Sequence, residues 1–120
     1  MTTTTLLKRQ NQMHRGPLPA CHDGVGALDF TVVLGDDDLK GRHLKFIHDD
    51  TLAPGVSIGV HTHADDEEYY YIVAGEGTMT LDGETFTVRA GDIAAVFPGG
   101  QHGLANTSDA DLRIIVVCTA

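Results

Sequence analysis

The chain has 120 residues, with 17 acidic and 8 basic side chains, a formal charge of −9, 42% hydrophobic and 21% charged residues. That length supports one domain with a single core, and the composition excludes general disorder. The acidic excess repels phosphate backbones and anionic lipid, so neither nucleic acid nor a membrane surface is expected as a partner.

The opening residues differ in kind from the rest. Thr2–Thr5 is low in complexity, and Arg15–Gly26 reads as loop, with Gly, Pro and His. Residues 1–25 are expected to form an N-terminal arm, mobile or docked on a partner subunit, and residues 26–120 the folded domain. Met1–Gln10 lacks the apolar core of a secretory signal, and the run Ile114–Cys118 is far too short to span a bilayer. Cys21 and Cys118 lie far apart without C-x-x-C spacing and are expected as free thiols in a reducing cytoplasm.

From Leu44 onward, short apolar or alternating runs are separated by Gly, Pro, Asp and Asn clusters. Expected strands are Leu44–Ile47, Val56–His63, Glu68–Val73, Gly77–Leu81, Thr85–Val88, Ile93–Phe97, Gly103–Ala105 and Leu112–Cys118. Asp82-Gly83 is the strongest hairpin signal, because both residues tolerate the positive φ of a tight turn. No helical period is sustained after residue 44, so the fold class is an all-β antiparallel sandwich or barrel.

His61 and His63 alternate within an apolar strand. Residues two apart share a strand face, so both imidazoles can converge on one ion. After the Ala64-Asp65-Asp66 turn, Glu67 and Glu68 open the next strand, and a hairpin brings one of those carboxylates beside the histidines. His102 follows the Pro98-Gly99-Gly100 turn and adds a third imidazole. Taken singly, each feature has an ordinary explanation; the combination is far more specific. No Ser/His/Asp or Cys/His arrangement has readable spacing.

Two stretches resemble the motifs of the cupin superfamily, and of its small single-domain members in particular. Gly55-x5-His61-x-His63-x4-Glu68-x6-Gly75 matches the first cupin motif at every fixed position. Gly91-x5-Phe97-x-Gly99-x2-His102-x3-Asn106 is similar to the second, with Phe97 where a proline usually stands. The resemblance implies a double-stranded β-helix (jelly-roll) barrel with a metal held by His61, His63, Glu68 and His102, and it selects Glu68 over Glu67. It also implies a homodimer through sheet packing. A mixed nitrogen and oxygen ligand set suits one divalent transition metal, Mn or Fe favoured and Zn, Ni or Cu also accommodated.

The expected function is that of a metal-dependent enzyme on a small, anionic organic substrate, of dioxygenase, decarboxylase, isomerase or cyclase type. The alternative is a non-catalytic module that binds a metal or small ligand. Strand parity puts Tyr70 on the face of Glu68, where its hydroxyl is a candidate proton donor. His48, in the preceding strand, is a candidate proton carrier. The same parity sets Val56, Ile58 and Val60 opposite the two histidines, as an outer apolar patch that a second subunit would cover.

Overall fold

The computed structural model describes residues 4–41 and 43–120. The first three residues of the expected arm, with part of its threonine run, lie outside the described residues. Among the described residues the chain forms ten strands: β1 (His14–Pro19), β2 (Ala27–Leu34), β3 (Leu44–Leu52), β4 (Ser57–Thr62), β5 (Glu67–Ala74), β6 (Glu76–Leu81), β7 (Glu84–Arg89), β8 (Ile93–Val96), β9 (Gln101–Ala105) and β10 (Leu112–Thr119). They make two antiparallel sheets, ordered β1-β2-β3-β10-β5-β8 and β4-β9-β6-β7. This is the all-β jelly-roll architecture expected from the motifs.

Strand β10 shows why these residues pair as they do. Leu112, Ile114, Val116 and Cys118 alternate with Arg113, Ile115 and Val117, and the first set is buried throughout. One inward face therefore meets the core while β3 and β5 flank it on either side. Leu52 of β3, Ile72 of β5, and Met79 and Leu104 of the opposite sheet complete the core. Burying such side chains stabilises the fold by roughly 1.5–3 kcal/mol each.

The turns follow local chemistry. Leu81 pairs with Glu84 across Asp82-Gly83, whose φ values of 48° and 84° are both in the left-handed region. Gly75 has φ 85°, and a Cβ there would collide with the Asp111 carbonyl. Asn106, fully enclosed, staples the far end: its amide donates to the Leu52 and Ala110 carbonyls, and its oxygen accepts from Ser108.

Three sequence expectations change. The strand pattern begins earlier than Leu44, because Leu28, Phe30 and Val32 alternate with Asp29 and Thr31 to make β2. His14–Pro19, placed in the arm, pairs with β2 of the same chain. The outer patch on β4 is smaller than parity predicts. The pairing of β4 with β9 slips between Ile58 and His61, as at a β-bulge, so Ile58 and His61 both face inward. Ile58 joins the core, and only Val60 of that set is well exposed.

Candidate metal centre

Three strands bring four side chains to one point. His61 comes from β4, Glu68 from β5 and His102 from β9, while His63 lies just beyond the end of β4. Pairing of His61 with His102 sets those two residues directly opposite each other. The turn at Gly99-Gly100 holds His63 by two backbone bonds: its amide donates to the Gly100 carbonyl at 3.0 Å, and its carbonyl accepts from Gly99 at 2.7 Å.

The donor atoms of His61, His63, Glu68 and His102 all lie within 4.8 Å of one another. His102 Nε2 is 3.0 Å from His61 Nε2, 3.1 Å from His63 Nε2 and 3.0 Å from Glu68 Oε1. Glu68 Oε1 is 3.4 Å from His63 Nε2 and 3.9 Å from His61 Nε2. Ligands at about 2.1 Å from an ion stand about 3 Å apart when they occupy adjacent positions around it. The three separations from His102 fit that spacing, and His61 to Glu68 is wider.

The protonation pattern fits as well. His61 Nδ1 donates to the Gly59 carbonyl at 2.7 Å, and His63 Nδ1 donates to Asp66 Oδ1 at 2.7 Å. Each ring therefore turns an Nε2 lone pair toward the centre. Burial lowers the His102 pKa against the opposing pull of Glu68. For Glu68, burial acts to raise the pKa, but the histidines around it, His102, His61 and His63, hold it well below the usual carboxylate range. Three imidazoles and a carboxylate facing one point form a group that could hold a metal ion.

Asp66 was read only as part of a turn. Its carboxylate joins His63 to Lys45, whose Nζ lies 2.7 Å away, and the hydrogen bonds from Lys45 and His63 lower its pKa to about 2. A carboxylate behind a ligating imidazole fixes ring orientation and raises its basicity. Asp66→Ala should weaken divalent-metal affinity by about 10–100-fold, read by competition with a chromogenic chelator. Unchanged affinity would mean that the His63 ring is held without it. The spacing His63-x2-Asp66 was the available signal.

The other candidates lie at different distances from the centre. The Tyr70 ring stacks on His102, with centroids 4.5 Å apart, and burial first, then Glu68, keeps its hydroxyl un-ionised. His48 is not among the four: it sits on β3 between Phe30 and Phe46, with ring centroids 4.4 and 4.2 Å away. Glu67 accepts a hydrogen bond from the Tyr69 hydroxyl, away from the cluster. Phe97 is exposed, edge-on to Tyr69. Both cysteines are free; burial pushes the thiol pKa to about 11 at Cys21 and about 12 at Cys118. His22, to which the sequence assigned nothing, stacks flat on His61.

Comparison with known proteins agrees with the fold. The family model for the cupin domain matches residues 49–118. A protein of Thermotoga maritima named oxalate-binding protein is 27% identical over 114 residues, covering 95% of this chain and 93% of that one. An uncharacterised protein of Methanocaldococcus jannaschii is 41% identical over 56 residues, 47% of this chain and 45% of that one. The crystal structure of a predicted oxalate decarboxylase from Thermotoga maritima has a TM-score of 0.87 at 25% identity, over 95% of this chain and 98% of that one.

Proposed function

The chain belongs to the cupin domain family, and on that premise we propose that it binds a small carboxylate anion at a divalent metal held by His61, His63, Glu68 and His102. The observation that carries this reading is the convergence of the four donor atoms within 4.8 Å. Three neutral imidazoles and one carboxylate leave a divalent ion with net positive charge, so an anionic oxygen is the complementary ligand. Oxalate is the first anion to test, because two similar proteins carry it in their names. An ion bound there would supply a Lewis acid with positions open to the anion.

The chain's own groups define the rest of the reading. Tyr70, stacked on His102, is assigned proton donation to the bound anion. His48, between two phenylalanines, is assigned the role of second proton carrier; its burial lowers its pKa and keeps it neutral. Manganese or iron is the favoured ion. A second copy is the proposed cover for the outer face of β5 and β8, where Tyr71, Val73 and Ile93 are exposed side by side. No helix among the described residues is long and apolar enough to cross a membrane.

Calorimetry tests the binding claim. Oxalate should bind the manganese-loaded chain with one site and leave the metal-free chain silent, whereas equal heats from both would overturn it. Conversion of oxalate to formate and carbon dioxide, followed by NMR, separates an enzyme from a binding module. The second reading, binding without turnover, draws its support from the name of the Thermotoga relative.

A further inference from the structure

The stack of His22 on His61 is built by backbone that has few alternatives. Ala20, His22 and Asp23 have φ values of 49°, 49° and 63°, in the left-handed region that non-glycine residues seldom occupy. Such a conformation persists only where the surroundings hold it. The grip comes from β4: Ser57 N donates to the Val25 carbonyl at 2.9 Å, and Val25 N donates to Ser57 Oγ at 2.8 Å.

Two glycines let the segment approach so closely. A Cβ on Gly59 would overlap the His22 carbonyl, and a Cβ on Gly24 would overlap the Ser57 carbonyl. Gly59 thus makes room for this segment. The His22 and His61 rings meet with centroids 3.5 Å apart and an interplanar angle of 10°. His61 is already anchored at Nδ1 by the Gly59 carbonyl. A flat ring against its face removes the remaining freedom to tilt, and covers the ligand from that side.

We propose that Ala20–Val25 is a strap over the metal centre, with His22 as the positioning residue that holds the His61 imidazole in its ligating orientation and slows loss of the ion. The inference rests on the metal reading above but adds a segment outside both cupin motifs. His22 acts through the face of its ring. His22 lies parallel over His61 and is not among the four residues whose ligand atoms converge.

The test uses cobalt(II) as probe on the full chain, with visible absorption for ligand geometry and chelator competition for release rate. Wild type should take up one ion per chain. His22→Ala should release it about 10-fold faster and shift the visible bands. His22→Phe, which keeps a flat ring, should stay within about twofold of wild type, on the same scale of effect. Gly24→Ala, which pushes the strap off Ser57 while keeping His22, should release cobalt as His22→Ala does. Thermal unfolding of the metal-free variants checks that each is folded. Release from His22→Ala at the wild-type rate would overturn the proposal and leave the metal reading intact. Equal acceleration in His22→Phe would overturn it too, because a ring nitrogen would then be what matters. Failure of wild type to bind cobalt would overturn both.

Discussion

Purified His102→Ala should carry almost no transition metal, while wild type carries about one ion per chain. His102 is fully enclosed, and its Nε2 is the atom nearest the other three donors. Removing it takes away one ligand of four and replaces it with a void against Tyr70. Loss of groups behind a ligand costs about 10–100-fold in affinity, and loss of the ligand itself should cost at least the upper figure. Glu68→Gln tests the charge separately: it keeps an oxygen but removes the anion, so occupancy should fall while the metal-free fold is retained. Elemental analysis with circular dichroism on the metal-free proteins reads both. Stoichiometric metal in His102→Ala would place the ion elsewhere.

Asp50→Asn should be more stable than wild type at pH 8.5, by about 2–4 kcal/mol, and the advantage should shrink toward pH 5. Asp50 is enclosed on β3, opposite Phe30 of β2 and Ile114 of β10, and its Oδ1 has no hydrogen-bond partner. Burial above all, then neighbouring Asp49, raises its pKa from 3.8 to about 7. Between those values the folded chain holds a proton that the unfolded chain has released, so stability falls as pH rises through this window and levels off above it. Below about pH 4 both states are protonated and the group contributes nothing. Asparagine keeps the shape without the charge. Urea unfolding of metal-free protein at both pH values provides the measurement; equal stability at the two would mean that Asp50 is ionised in the fold.

The legible and illegible features divide by the range of the forces behind them. The hairpin at Asp82-Gly83 was readable because positive φ is a property of two adjacent residues. The inward set of β10 was readable because its alternation is continuous. Reading β4 failed at one point: parity assumes an unbroken ladder, and the slip against β9 depends on a strand more than forty residues away. Strand β2 was passed over although Leu28, Phe30 and Val32 carried the same alternating signal as the later strands.

The amino-acid sequence by itself determined the all-β class, the principal turns and the four side chains brought together as candidate metal ligands. Each of these depends on local periodicity, on glycine's access to positive φ, or on motif spacing within a short segment. Tertiary structure decided which groups stand behind the ligands. Asp66 reaches His63 because a turn folds back, His22 lies on His61 because Gly24 and Gly59 admit a distant backbone, and Asp50 is driven toward its neutral form because the fold buries it on β3. The stack of His22 on His61 and the enclosure of Asp50 follow from strand pairing and close packing, and no short window of sequence contains both partners of such contacts.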